Sequence, residues 1–260
     1  MACFDPKIHV VIEGAEFADY FWPAVEQYVE CTHEYWRSNG KFVPNIVLRL
    51  ASGGYIGGGL YHSQNIEGAL ATLPGARIVC PSFADDAAGL LRTAMRSRGF
   101  TLYLEPKALY NSVEASSVVP EEFEVPFGKA RIRREGTDLS MITYGNTTHF
   151  CLNVAERLAQ EGWSVEVIDL RSLIPLDKET IYASVKKTSK ALVVHEDKVF
   201  SGFGAEIAAG IGTELFRYLD APVQRVGSVF TPVGFHPILE KAILPTEDKI
   251  YDAARTLLEY

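Results

Sequence analysis

Ile46-Val-Leu-Arg-Leu-Ala-Ser-Gly-Gly-Tyr-Ile-Gly-Gly-Gly-Leu-Tyr-His-Ser-Gln64 is the stretch on which the fold turns. Residues 46–50 are a short aliphatic run of the kind that fills a buried strand, and the chain then enters a loop with five glycines between Ser52 and Gln64. Glycines let a backbone turn sharply and let a ligand or another chain come close. The loop is not a Walker loop, because no Gly-Lys-Ser/Thr follows, and it is not the G-x-G-x-x-G that opens a dinucleotide-binding helix. Upstream, residues 8–12 read as a strand, and Pro23 stands near the start of a helix through Arg37 that Asn39-Gly40 ends. Downstream, residues 76–80 read as a strand. Ser82 with Asp85 resembles a capping box opening a helix to about Met95, and residues 101–105 close the unit as a strand. Apolar runs alternating with amphipathic stretches are the order of an α/β protein with mostly parallel sheets flanked by helices.

From Pro106 to Pro126 the composition shifts to Ser, Val, Glu and Pro without clear period, as in an extended linker. The reading is therefore two domains, residues 1–108 and 128–260, joined by residues 109–127. In the second, strands are predicted over 129–134, 139–144, 165–170, 191–195 and 223–226, with helices over 147–160, 178–187 and 204–218. Ile250, Ala253, Ala254, Leu257 and Leu258 recur at helical spacing, which predicts a docked terminal helix within 245–260.

The 260 residues carry 25 Lys+Arg against 33 Asp+Glu, a net charge of -8, which argues against a surface that neutralises nucleic-acid phosphates. The N-terminus lacks a basic start followed by an apolar run, and no apolar stretch reaches the roughly 18 residues of a membrane span, so a soluble, cytoplasmic protein without a membrane partner is expected. Cys3, Cys31, Cys80 and Cys151 form no C-x-x-C pair, which argues against a zinc site or a disulfide framework and for small apolar residues in a reducing compartment.

Three features could carry chemistry. His62, with Tyr61, Ser63 and Gln64, follows the glycines and could present an imidazole that titrates near neutral pH; a structural donor is the blander alternative. Glu16-Phe-Ala-Asp-Tyr-Phe-Trp22 is a dense aromatic cluster, either a platform for a heteroaromatic ligand or a core plug under a helix start capped by Asp19. His195-Glu196-Asp197 ends a strand before Ser201-Gly-Phe-Gly204, where an acid or base could sit, though a satisfied histidine beside a turn explains it equally well. His9, His33, His149 and His236 have no partners at metal-ligand spacing. Neither Gly-Asp-Gly followed at distance by Asn nor a G-x-S-x-G elbow occurs.

A set of short motifs in order carries a resemblance over nearly the whole chain. They are Glu16-Phe-Ala-Asp-Tyr20, Arg37-Ser-Asn-Gly-Lys41, Gly57-Gly-Gly-Leu-Tyr-His-Ser-Gln64, Pro74-Gly, Pro81-Ser, Asp86-Ala-Ala-Gly-Leu-Leu91, Leu104-Glu-Pro-Lys-Ala-Leu-Tyr110, Val125-Pro-Phe-Gly-Lys-Ala130, Thr143-Tyr-Gly145, His195-Glu196 and Gly202-Phe-Gly-Ala-Glu206. The chain resembles the β subunit of the thiamine-diphosphate-dependent decarboxylating component of 2-oxoacid dehydrogenase complexes, in the transketolase-like group. The resemblance implies a pyrimidine-binding α/β domain followed by the transketolase C-terminal domain. Active sites would lie between subunits of a heterotetramer, with an acyltransferase core as a further partner. An α chain would carry Gly-Asp-Gly and hold magnesium and diphosphate, while the β chain receives the aminopyrimidine. By position Tyr20 matches the aromatic on that ring, with Phe17 beside it, and His62 matches the histidine that faces substrate and serves transfer to lipoyl. Some members bind structural potassium through backbone oxygens, which would map onto Ile46, Ala94, Ser97 and Gly99.

Family β chains begin well upstream of this Met1, in a stretch whose Ile-Ser-Glu supplies the glutamate that drives the aminopyrimidine to its imino form. That motif is not in these residues. The resemblance therefore implies a chain inactive alone, with an exposed sheet edge or apolar face, and prone to self-association. Pyruvate and branched-chain 2-oxoacids fit somewhat better than acetoin. A non-catalytic assembly module is the alternative.

Overall fold

The computed structural model describes residues 5–14 and 17–260; Cys3 and Glu16, weighed above, lie outside them. The strands are β1 (Val10–Gly14), β2 (Ile46–Ser52), β3 (Ala76–Val79), β4 (Phe100–Pro106), β5 (Arg131–Arg134), β6 (Leu139–Thr143), β7 (Val165–Asp169), β8 (Ser172–Ile174), β9 (Ala191–Lys198) and β10 (Gln224–Ser228). The helices are α1 (Val25–Arg37), α2 (Glu67–Leu70), α3 (Ala84–Arg96), α4 (Thr147–Ala159), α5 (Lys178–Thr188), α6 (Gly204–Glu214), α7 (Pro237–Ile243) and α8 (Glu247–Leu258).

They build two five-stranded sheets, ordered β1-β2-β4-β3-β8 and β10-β9-β6-β7-β5. Each is parallel except at one edge, where β8 runs antiparallel to β3 and β5 antiparallel to β7. Strand β8 belongs to the second half of the sequence yet completes the first sheet, so the two halves share hydrogen bonds. Alternation along β2 explains its double coverage. Val47 faces α3 with Val79, Leu90, Ala94 and Tyr103, whereas Leu48 and Leu50 join the large core containing Leu102 and Leu104 from the first sheet and Ile142, Ile168 and Val193 from the second. The far face of the second sheet is closed by α4 and α8 through Val154, Leu158, Ile250 and Leu257, as the terminal-helix spacing predicts.

Several expectations are corrected. The capping box does not form: α3 starts after Phe83 with no side-chain cap, because the Ser82 hydroxyl instead bonds Asp169 and Thr148 of the second half, each at 2.9 Å. The helix expected over 204–218 stops at Glu214 and continues only as a 3-10 turn, Phe216–Tyr218. Residues 110–130 contain no regular element, but they are strapped across α3 rather than free. Ala84 N donates to the Ala115 carbonyl, Arg92 reaches the Pro120 and Phe123 carbonyls, and Val125 and Phe123 pack on Gly89. Cys80 and Cys151 are buried and free, and Cys31 is half-buried. No described helix is long and apolar enough to cross a membrane.

Strand β1 is an edge. Val10, Val11 and Ile12 are 36%, 40% and 44% exposed, and beside them lies an apolar cavity of about 490 Å³ lined by Phe17, Phe21, Tyr28, Leu48 and Phe100 among others.

Helix α5 shows how firmly local chemistry fixes an element. The buried Asp177 caps it by accepting from Thr180 N at 3.1 Å and also accepts from Ala130 N at 2.9 Å. Burial pushes the Asp177 carboxyl pKa up, but the hydrogen bonds from Ala130 and Thr180 prevail and hold it below the ordinary value. Asp177→Ala is expected to cost about 1–2 kcal/mol, read as a lower denaturation midpoint at unchanged m-value.

Candidate active site

The glycine loop leaves the carboxyl end of β2 and meets the second domain. Gly53, Tyr55, Gly57 and Gly59 have φ of 86°, 63°, 66° and 66°, the left-handed region that favours glycine. At Gly53 there is a further reason, since a Cβ there would stand 2.5 Å from Glu196 Oε1. Gly54 N donates to that same oxygen at 2.5 Å, and Gly57 N donates to Glu240 Oε1 at 3.2 Å. The group that comes close is thus a pair of carboxylates from the chain's own second domain. Tyr55 completes the attachment, its hydroxyl donating to the Pro245 carbonyl at 2.9 Å.

His62 follows the 3-10 turn Gly59–Tyr61. Its Nε2 lies 3.1 Å from the Tyr20 hydroxyl, and the Phe17 ring meets the imidazole edge to face at 4.8 Å. The resemblance assigned these three residues to one active site, and in the fold they lie against one another. Within the aromatic cluster, Ala18 and Phe21 are buried in the core, while Tyr20 is 48% exposed. Asp19 is not a helix cap. It accepts from Gln64 N at 2.9 Å and so ties the aromatic segment to the histidine loop.

Lys107 stood in the sequence only as part of the Leu104-Glu-Pro-Lys-Ala-Leu-Tyr110 motif, with no role assigned to it. It is the residue after β4, and its side chain is only 3% exposed. Nζ donates to the His62 carbonyl at 2.5 Å, sits 4.1 Å from the Phe17 ring centroid and 4.0 Å from the Asp19 carboxylate. Burial lowers the Lys107 pKa to about 8, against the pull of Asp19 and Glu196. Burial likewise raises that of Asp19, opposed by Lys107 and by hydrogen bonds from the Gln64 and Ser63 backbone.

Behind the loop, Glu67, Glu196 and Asp197 are buried together. Tyr144 donates its hydroxyl to Glu67 at 3.0 Å, and Gly68 N donates to Asp197 at 3.3 Å. Burial pushes Glu67 up to about 8, helped by Asp197, and Glu196 up to about 7. His195 is neither accessible nor satisfied: it is fully buried and neither ring nitrogen has a hydrogen-bond partner. Burial depresses its pKa to about 3, so the ring is neutral near pH 7. Gly204 makes room for it, because a Cβ there would fall 2.2 Å from His195 Cδ2.

The four residues matched to potassium lie at the opposite end of the first sheet from His62. Ile46 opens β2 beside Phe100 of β4, the Ala94 carbonyl accepts from Ser97 N at 3.3 Å, and Gly99 N donates to Asn45 Oδ1 at 3.1 Å.

Known proteins give a consistent picture. Residues 1–113 match the transketolase pyrimidine binding domain and residues 128–250 the transketolase C-terminal domain. The chain is 40% identical over 251 residues to the 2-oxoisovalerate dehydrogenase subunit beta of Bacillus subtilis, covering 96% of this chain and 76% of that one. It is 38% identical to the mitochondrial 2-oxoisovalerate dehydrogenase subunit beta 2 of Arabidopsis thaliana, covering 96% and 70%. Against the pyruvate dehydrogenase E1 component subunit beta of B. subtilis the identity is 39%, covering 86% and 69%. A solved structure described as a split-gene transketolase in an inactive β4 tetramer shares the fold with a TM-score of 0.72 at 21% identity, covering 96% of this chain and 75% of that one.

Proposed function

Because the chain belongs to the family of 2-oxoacid dehydrogenase E1 β subunits, built from transketolase pyrimidine-binding and C-terminal domains, we propose that it supplies the β half of an interfacial active site. With an α chain, that site would decarboxylate pyruvate or a branched-chain 2-oxoacid and pass the acyl group to lipoyl. The reading rests on one observation: the Tyr20 hydroxyl holds His62 Nε2 while the Tyr20 ring stays half open.

The residues present fit one end of thiamine diphosphate. Tyr20 and Phe17 offer aromatic faces for the aminopyrimidine, and alongside Phe17 is a cavity of about 330 Å³ lined by Glu13, Arg49, Glu105 and Tyr110 among others. Magnesium and diphosphate would be held by the α chain. When bound, the cofactor supplies the electron sink for decarboxylation. Tyr20 would orient the ring, and His62, fixed by Tyr20 and Phe17, would hold or move a proton at Nε2. Backbone oxygens of Ile46, Ala94, Ser97 and Gly99 would hold a structural potassium ion.

The 260 residues contain no Ile-Ser-Glu, so the family's activating carboxylate is not among them and turnover by the isolated chain is expected to be negligible. The exposed edge of β1 favours a second reading, an assembly module whose sheet is completed by another chain. Purification with an α chain, thiamine diphosphate and magnesium separates the two. On the first reading, pyruvate or 2-oxoisovalerate supports lipoyl acylation once a segment carrying the family's Ile-Ser-Glu is fused ahead of these residues, and in that version His62→Ala slows it by at least about 100-fold with little change in cofactor affinity. A stable complex that binds cofactor but shows no turnover supports the module.

A further inference from the structure

We infer that Lys107 is a positioning residue, whose ammonium fastens the Phe17–Tyr20 aromatic segment to the His62 loop and so sets where the imidazole stands at the mouth of the site. The inference rests on the proposed function only for its activity arm. Three segments far apart in sequence meet at one nitrogen: the His62 carbonyl at 2.5 Å, the Phe17 ring at 4.1 Å and the Asp19 carboxylate at 4.0 Å. Asp19 in turn accepts from Gln64 N, so the loop is held on both sides of Ser63, from the carbonyl of His62 and from the amide of Gln64. Phe17 and Tyr20 then close on the imidazole from the other segment.

Stability alone is a poor reason for a lysine here. Its ammonium has one hydrogen-bond acceptor at close range, and the Asp19 oxygen nearest to it has no hydrogen-bond partner. Taking a charge out of water with so little pairing destabilises a fold, and an apolar side chain of similar length commonly does as well or better. The depressed pKa of Lys107 has the same cause. What the ammonium does that a thioether cannot is donate to a carbonyl while standing over an aromatic face and within Coulombic reach of a carboxylate, which constrains their mutual geometry.

The test is Lys107→Met in the isolated chain, labelled with 15N-histidine; the chain has six histidines. The expected result is that the His62 imidazole resonances move toward those of Tyr20→Phe, the other five stay in place, and the melting temperature changes by less than about 2 °C. With an α chain and the Ile-Ser-Glu segment supplied by fusion, K107M should lower lipoyl acylation by at least about tenfold and leave cofactor affinity within about threefold. Unmoved His62 resonances would overturn the inference, and so would displacement of all six together with a large fall in melting temperature, which marks a merely structural role. Should K107M not fold, K107Q, which keeps a donor for the carbonyl but no charge, is read by the same criteria. If no α chain yields activity with the Ile-Ser-Glu-bearing fusion, the proposed function fails while the histidine spectrum still decides the role of Lys107.

Discussion

Asp86→Ala is expected to lower the melting temperature by about 10 °C, following a loss of roughly 3–5 kcal/mol. Asp86 lies on α3 and is fully buried. One of its oxygens takes Arg171 Nη1 at 2.8 Å, and the other takes Arg133. Arg133 also bonds Asp169 on β7, through Nε at 3.1 Å and Nη2 at 2.8 Å, and stacks over Phe83. Arg171 spends its remaining donors on the Lys129 and Ala130 carbonyls. The two buried arginines and two buried aspartates balance, and they tie α3 of the first domain to β5, β7 and the chain after β7 in the second. Removing Asp86 leaves two largely buried guanidinium groups facing one carboxylate, with the half-exposed Arg131 3.8 Å from the vacated position. The control is Glu34→Ala, which breaks a solvent-exposed pair with Arg37 on α1 and should leave the melting temperature within about 2 °C. Calorimetry on both variants gives the comparison, and a shift of less than about 2 °C for D86A would mean that the buried network does not hold the domains together.

The same network shows where sequence reading stops. Apolar runs alternating with amphipathic ones located most strands and the long helices, because burial on both faces of a parallel strand leaves a continuous aliphatic signature. Nothing local in Pro81-Ser82-Phe83 says that the serine hydroxyl will prefer an aspartate 87 residues away over its own helix. Strand β8 is three residues long, too short for any period to register. The glycines after β2 announced a close approach without saying by what, and the answer, Glu196, lies 142 residues downstream of Gly54. Tyr20, Phe17 and His62 were legible because motif order carried them. Lys107 and Asp19 stand in the same motifs, but their roles were not legible, since these come from what packs against them in three dimensions. His195 looked like an acid or base because a histidine at a strand end is polar; in the fold, Gly202, Gly204 and Gly227 wrap it too closely for substrate.

Glu67→Gln should make the protein more stable at pH 8 and leave it nearly unchanged at pH 5. Glu67 is fully buried, with Asp197 and Glu196 as the acidic groups facing it, Tyr144 donating to Oε1 and Asn65 beside it. Lys107 acts on Glu196, and Lys198 acts on Asp197. Burial, reinforced by Asp197, raises the Glu67 pKa to about 8 from an ordinary 4.5. A carboxyl whose folded pKa lies above its unfolded one binds more protons in the folded state between the two values. Stability is therefore lost as pH rises through that window, here from about 4.5 to about 8. Glu196 adds a similar loss that ends near 7. His195 acts in the opposite sense: folded neutral with a pKa of about 3, it makes the fold less stable as pH falls from about 6.5 toward 3. Glutamine keeps an acceptor for Tyr144 and cannot ionise, so it removes the Glu67 contribution alone. Melting curves should place E67Q about 5 °C above the unmutated chain at pH 8 and within about 2 °C of it at pH 5, with the acid-side fall from His195 retained. Equal melting temperatures at both pH values would mean that Glu67 is charged in the fold and stabilised by a partner, in which case the three buried acids do not share the proton economy described here.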